Sequence, residues 1–312
     1  MKRQAPAVAG RAGRVVSSHG RDAVVEDAEG RRVHCRLQGR RQAAVCGDRV
    51  LWIDADTEGA AGLITEVLPR TTELARMNLR GESEVIAANL TQLVSVIAPL
   101  PTPDLGLCDR YLAAAEWAGL KACVVVNKSD LPDARALLGE ALAGYEAIGY
   151  PVAWASKRAP GGEREIALRL KDEVSVLVGQ SGVGKSSLIN LLVPGVEATV
   201  QEISRAAETG QHTTTASSLY HLPAGGDLVD SPGVRDFAPP LPKPRDVGGG
   251  FREIAAAAPG CRFKDCAHLR EPGCAVTALA NAGKIAARRM ASYRQLVSQA
   301  EELSRREPKL RR

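Results

Sequence analysis

The 312-residue sequence has no long hydrophobic run. Nowhere do about eighteen apolar residues follow one another, so no membrane-spanning helix and no membrane contact are expected. The first residues, MKRQAPAVAG, are basic but lack the apolar stretch of a secretion signal, which predicts a cytoplasmic protein. No internal repeat is present. An even set of cysteines is missing too: there are seven. Without a secretion signal, that count speaks against a disulfide framework. Cys35, Cys46, Cys108 and Cys123 are scattered and read as packing residues. The other three are clustered.

An apolar content of 45% is ample for a buried core and suits two or three domains. The net charge of +5 is unevenly placed. Residues 1–50 carry eleven Lys and Arg against five Asp and Glu, and residues 284–312 carry nine against three. A basic surplus at both ends suits an anionic polymer as partner.

Residues 13–67 contain five short β-prone runs separated by Gly, Asp and charged turns: GRVVSS, DAVVED, RRVHCRL, DRVLWID and AGLITEVL. Five strands in about 55 residues predict a small closed barrel such as an OB fold, an SH3-like barrel being the alternative. PRTTELARMNLRGESE then reads as a connector. From about residue 84, apolar runs ending in polar loops alternate with helix-like stretches at 107–118, 132–144, 163–172 and 186–193. That alternation predicts a parallel sheet with crossover helices, with ligands at the carboxyl ends of its strands. APPLPKPRDVGGG (238–250) marks a second boundary. The expected division is a barrel over 1–72, an α/β nucleotide-binding domain over 73–240 and a mainly helical domain over 241–312.

Within the α/β region, Gly179-Gln180-Ser181-Gly182-Val183-Gly184-Lys185-Ser186 fits G-x-x-x-x-G-K-S and lies between an apolar strand and the helix-like stretch 186–193, whose Ser187 is also expected at the nucleotide. Glycines let backbone amides wrap an anion, and the helix N-terminus adds unpaired donors. Lys185 is expected on the β- and γ-phosphates and Ser186 on Mg²⁺. Asn127-Lys128-Ser129-Asp130 names the base. Guanine offers two adjacent donors, which the Asp130 carboxylate can accept together. Asn127 is expected at the other edge of the ring and the Lys128 stem over its face. Ala155-Ser156-Lys157 ends the next strand and offers the Ser156 amide to guanine O6. Asp230-Ser231-Pro232-Gly233 fits a γ-phosphate sensor, with Asp230 holding Mg²⁺ through water and the Gly233 amide on the phosphate. TGQHTTT (209–215) lies between the two and supplies a threonine, Thr214 in preference to Thr215, to Mg²⁺. Thus GTP and GDP are the expected ligands, with Mg²⁺ accompanying GTP.

GTPase motifs usually run P-loop, switch I, D-x-x-G, then N-K-x-D. Here N-K-S-D comes first. A circular permutation explains this order, because the termini of a domain often lie close together. It places the chain exit just after the γ-phosphate sensor. There follow Cys261, Cys266, His268 and Cys274, three thiols and an imidazole within fourteen residues. They predict one closed, tetrahedral structural Zn²⁺ site. His19, His34 and His221 read as ordinary surface or barrel residues.

A barrel, N-K-x-D ahead of G-x-x-x-x-G-K-S, then G-x-H-T-T-T, D-S-P-G and Cys–Cys–His–Cys resembles the ribosome small-subunit-dependent GTPase family. The resemblance covers nearly the whole chain. It implies an OB fold, a circularly permuted P-loop GTPase domain and a C-terminal zinc domain. It also implies binding of the small ribosomal subunit and its rRNA, GTP hydrolysis stimulated by that subunit, and a role in late subunit maturation; a monomer is expected. The guanine cap reads A-S-K where the family usually has S-A-K, and Gln211 stands where the family often has Arg. Val234 follows Gly233, where Ras-like enzymes place a water-orienting Gln. A weak intrinsic GTPase is therefore expected, with His212 as the catalytic group beside Lys185 and Thr214. A different class of function is an rRNA-binding zinc and OB module that GTP merely regulates. A P-loop kinase is disfavoured by N-K-S-D.

Overall fold

In the computed structural model, residues 10–39, 43–57, 60–78, 82–196, 217–231 and 239–310 are described. Five strands form the N-terminal barrel: β1 (Arg11–His19), β2 (Asp22–Glu26), β3 (Arg32–Leu37), β4 (Arg49–Thr57) and β5 (Ala60–Val67). In β3 the buried Val33, Cys35 and Leu37 alternate with half-buried Arg32, His34 and Arg36, the two-residue period of a strand with one face inside. The strands pair in the order β1-β2-β3-β5-β4, and β4 returns to β1. Only β3 and β5 run parallel. This closed five-stranded arrangement is OB-like. Val15, Val25, Val50, Trp52 and Ile64 fill it.

The expected connector is itself a hairpin, β6 (Glu73–Met77) and β7 (Ser83–Ala88). Leu74 and Ile86 give it a buried face. Arg70 fastens its base, donating at 2.7 and 2.9 Å to the fully buried carboxylate of Asp48. The polar composition of residues 69–84 concealed two strands, in which only Glu73, Ser83 and Glu84 are exposed.

The α/β region follows as β8 (Gln92–Ile97), α1 (Leu105–Trp117), β9 (Lys121–Val126), α2 (Ala134–Ala147), β10 (Val152–Trp154), α3 (Arg164–Leu170), β11 (Val174–Val178), α4 (Lys185–Leu192), β12 (Ser217–His221) and β13 (Asp227–Asp230). The four expected helices begin and end within three residues of the predicted bounds. In space the strands run β10-β9-β8-β11-β13-β12, all parallel except β12. Every residue of β8 is buried, as a strand covered on both faces requires. Leu93 and Ile97 point to the α1 and α2 side with Leu112 and Leu138, whereas Val94 and Val96 point to the α3 and α4 side with Ile166 and Leu188.

The C-terminal region holds α5 (Arg252–Ala257), α6 (Ala275–Asn281) and the 24-residue α7 (Ala287–Leu310). Residues 244–250 form a 3₁₀ turn packed on α1, not an open linker; a Cβ at Gly250 would lie 2.6 Å from the Trp117 ring. One buried carboxylate joins the two regions. Asp109 of α1 accepts from Arg288 Nη1 (2.5 Å), Arg289 Nη1 (3.1 Å), Ser292 Oγ (2.6 Å) and Tyr145 OH (2.7 Å). Among the described residues no helix is long and apolar enough to cross a membrane. The four scattered cysteines are buried; burial pushes the thiols of Cys35, Cys46 and Cys123 up to about 12 and that of Cys108 up to about 11, which suits packing residues.

The barrel joins the sheet edge to edge, β1 pairing with β12 at Ser17–Ser218 and Ser18–Ser217. His221 is more than a surface residue: its Nδ1 meets Asp227 and its Nε2 meets Glu26 of the barrel, both at 2.6 Å. Arg14 reaches the other oxygen of Asp227 at 2.5 Å. The hydrogen bond to Asp227, then that to Glu26, raise the His221 pKa from 6.5 to about 9. A folded-state pKa above the unfolded one stabilises fully below pH 6.5, and the contribution fades as pH rises through about 9. The melting temperature of the wild type is therefore expected to fall more steeply from pH 6.5 to 9 than that of His221→Ala. Parallel curves would remove His221 from the joint.

Candidate nucleotide site and metal centre

The loop between β11 and α4 turns back on itself through three glycines with positive φ, Gly179 (148°), Gly182 (80°) and Gly184 (94°). A Cβ at Gly179 would lie 2.2 Å from the Val96 carbonyl oxygen, so that position closes directly on β8. Gly184 precedes α4, where a Cβ would lie 2.4 Å from Asn127 Nδ2. Lys185 folds over the loop and donates to the carbonyls of Gly179 (2.5 Å) and Gln180 (3.1 Å). Ser181 and Ser186 are exposed at its rim.

Because β8, β9 and β11 are parallel neighbours, the loop after β9 opens beside this one. The buried Asn127 donates from Nδ2 to the carbonyl of Val183 at 2.8 Å. It thus ties the two loops together, a task its place in the motif does not reveal. Lys128, with φ of 58°, spans the gap and donates to the carbonyls of Gly182 (2.7 Å) and Leu100 (2.8 Å). The Ser129 amide donates to Ala155 at 3.1 Å, holding the loop to the end of β10.

Asp130 accepts from the Ser156 hydroxyl. That hydroxyl in turn accepts the amides of Arg158 (3.0 Å) and Ala159 (3.3 Å). The Ser156 amide, expected to face guanine O6, instead donates to the Gly162 carbonyl at 3.1 Å. Ser156 therefore orients the aspartate and shapes the capping turn. These loops enclose a cavity of about 420 Å³ lined by Asn127, Lys128, Asp130, Gly182, Gly184 and Ser187. Leu100, Leu131, Lys157 and Arg158 line it as well. None of these four stands out in the sequence, although Lys157 adjoins Ser156. A larger cleft of about 710 Å³ lies between barrel and sheet, lined by Glu26, Arg32, Tyr220 and His221, with none of the phosphate-loop residues on its wall.

Asp230 ends β13, the parallel neighbour of β11 on the side away from β8. Its strand leaves the sheet at the same end as the phosphate loop. Gly233, Val234, His212, Thr214 and Thr215 lie outside the described residues.

Further along, Cys261, Cys266, His268 and Cys274 converge, with all their ligand atoms within 4.8 Å of one another. Cys261 Sγ and Cys274 Sγ are 3.9 Å apart, and His268 Nδ1 is 3.5 and 3.6 Å from them. Ligand bonds of about 2.3 Å to sulfur and about 2.0 Å to nitrogen give tetrahedral edges of about 3.8 and 3.5 Å. The cluster therefore fits a metal ion. His268 reaches inward from a positive φ of 56°. Glu271, which carries no sequence signal, organises the loop: its carboxylate accepts the amides of Ala267 and Leu269 at 2.9 Å and Arg270 at 3.0 Å. Burial works against its charge, but these amides and its own hold the Glu271 carboxyl down at about 2.

Replacing Gly184 with Ala tests the tie between the loops, since the new Cβ collides with the Asn127 amide in an unfavourable backbone region. The expected outcome is at least about tenfold weaker binding of a fluorescent GTP analogue in a titration, with the protein still folded. An unchanged Kd would show that the Asn127–Val183 contact does not shape the site.

With this geometry in hand, the comparisons agree with one another. The RsgA GTPase family matches residues 67–239. The chain is 45% identical over 277 residues to the small ribosomal subunit biogenesis GTPase RsgA of Azotobacter vinelandii, covering 88% of this chain and 80% of that protein. It is 42% identical over 298 residues to the protein of the same name from Pseudomonas fluorescens SBW25, covering 94% and 86%. The crystal structure of YjeQ from Thermotoga maritima superposes with a TM-score of 0.74 at 30% identity, over 93% of this chain and 98% of that one. YloQ, a circularly permuted GTPase, superposes with a TM-score of 0.73 at 24% identity, over 96% and 98%, and so shares the fold. The phosphate loop placed after the base loop, the OB-like barrel before them and the Cys₃His cluster behind are one architecture, and the chain belongs to the RsgA GTPase family, hydrolysing GTP in a circularly permuted domain.

Proposed function

We propose that the protein is a GTP-driven factor of small-ribosomal-subunit maturation in the cytoplasm. It binds the subunit through rRNA, as a monomer, and hydrolyses GTP to GDP and phosphate when the subunit stimulates it. The names of its relatives support the subunit as partner. The observation that carries the nucleotide assignment is the bonded contact of base loop and phosphate loop through Asn127 and Val183 around one cavity.

In this reading the amides from Gly179 through Gly184, with Ser187 behind them, cradle the phosphates. Lys185 leaves the carbonyls it now meets and takes the β- and γ-phosphates. Ser186 and Thr214, with Asp230 through water, would hold Mg²⁺, which when bound would neutralise phosphate charge. Gly233 senses the γ-phosphate. Asp130 selects guanine, with Ser156 holding its carboxylate in place, and the neighbouring Lys157 amide serves O6 in place of that of Ser156. Val234 has no group to orient water, so His212 takes that role in the subunit-bound protein.

The Cys₃His cluster holds one structural Zn²⁺, whose binding is folding free energy for residues 261–274. Elemental analysis is expected to find one zinc per chain, and chelation to open this region to protease. A metal-free protein with native protease resistance there would contradict the site.

Single-turnover hydrolysis on purified small subunits tests the whole reading. His212→Ala is expected to bind GTP and subunits nearly normally, yet lose the stimulated rate by roughly 10²-fold, the scale of a positioned acid–base group. Its slow intrinsic rate is expected to change far less. In the same assay Asp130→Asn is expected to lose its preference for GTP over xanthosine triphosphate. Equal stimulated rates for His212→Ala and wild type would remove His212 from the mechanism. No stimulation of the wild type would leave GTP binding as regulation alone.

A further inference from the structure

The chain is poor in aromatics, with three Phe, three Trp and five Tyr. Among the described residues nearly all of these are turned inward, and Phe263 is the one exposed aromatic, at 41%. It lies in the four-residue span between Cys261 and Cys266, in which Arg262, Phe263, Lys264 and Asp265 are all exposed.

The span is rigidly built from both ends. Two members of the Cys₃His cluster bracket it, and the Cys266 amide donates to the Phe263 carbonyl at 3.3 Å. The Arg262 amide donates to the Gly273 carbonyl at 3.1 Å. Gly273 has a positive φ of 74°, and a Cβ there would lie 3.1 Å from Arg262 Cβ and 3.4 Å from its Cδ, so the arginine stem lies along this glycine. The guanidinium stands 5.5 Å from the Phe263 ring centre. Lys264 and Arg270 are exposed in the same knuckle. Unlike Arg288 and Arg289, which are tied to Asp109, these three cations enter no ion pair among the described residues.

We propose that Phe263 is a stacking platform for one unpaired nucleotide of the bound RNA, with Arg262, Lys264 and Arg270 taking the phosphates beside it. This rests on the rRNA partner argued above and assigns one contact within it. A flat apolar ring framed by unpaired cations matches a base with its flanking phosphates. Stacking on an aromatic ring is the usual way proteins take splayed-out bases, and it tolerates any base because each has a π face. A protein partner would need a broader apolar surface than one ring in a basic setting.

The test measures the affinity of the full-length protein for small subunits, with a non-hydrolysable GTP analogue, across a salt series. Phe263→Ala is expected to weaken binding about tenfold with the slope of log K against log salt unchanged. Phe263→Trp is expected to retain affinity. Lys264→Ala and Arg270→Ala are each expected to lower that slope by about one. Zinc content is measured for every variant, so that loss of the knuckle is not mistaken for loss of stacking. In Phe263→Trp, a mixed-sequence single-stranded octaribonucleotide is expected to quench emission beyond the wild-type background, and the corresponding duplex is not. Wild-type affinity in a zinc-loaded Phe263→Ala protein would overturn the proposal. So would weakened subunit binding without quenching by the single strand, which would put a protein on the ring. Failure of the wild type itself to bind subunits would overturn the underlying partner reading instead.

Discussion

Asp109 lies at the centre of the molecule's organisation. A carboxylate with no exposed surface is tolerable only if its lone pairs are met, and here four donors meet them, three from α7 and the Tyr145 hydroxyl from α2. Arg289, itself buried, passes the network on to Glu253 of α5 at 2.6 and 3.0 Å. Helix α7 can therefore dock on α1 in one register only. Tyr293, one turn further along α7, donates to the Ala267 carbonyl at 2.7 Å inside the metal loop. The position of the knuckle relative to the nucleotide domain is set through this chain of contacts. Val247, Phe251 and Ile254 share a core with Ala113 of α1, so apolar packing reinforces the same docking.

The same network changes the meaning of the basic ends. Arg288 and Arg289 contribute to the C-terminal surplus, yet their charge is spent internally. At the other end Arg14 pairs with Asp227, Arg32 with Glu26 and Arg36 with Asp22. A net charge counts the ions and is blind to their pairing.

Permutation has a structural consequence beyond motif order. The sheet order β10-β9-β8-β11-β13-β12 sets the phosphate-loop strand centrally, with the base loop on one side and Asp230 on the other. The barrel enters through β1 against β12, and the metal domain returns onto α1. Both outer domains therefore bear on the frame of the nucleotide site. His221 and Asp109 are the polar fasteners at these two joints, one half exposed and one fully buried.

The five barrel strands, the four helices of the α/β region, the phosphate loop, the base loop and the Cys₃His cluster were all legible in the sequence. Each is contiguous or nearly so, and its chemistry is set by local backbone geometry: glycines where φ is positive, alternation where one face is buried, ligand spacing that fits a metal. The hairpin at 73–88 was not legible, since it begins in a polar run and its burial follows no two-residue alternation. The role of Asn127 as a tie to Val183, the loss of the Ser156 amide to Gly162 and the lining by Leu100 were hidden as well. So were the bridge of His221 and the fourfold satisfaction of Asp109. Apart from the Ser156–Gly162 turn, these draw on groups far away in the chain, 56 residues for Asn127–Val183, 195 for His221–Glu26 and 180 for Asp109–Arg289. A residue's type says what it can bond to, but sheet order and helix docking decide which distant group arrives within 3 Å of it.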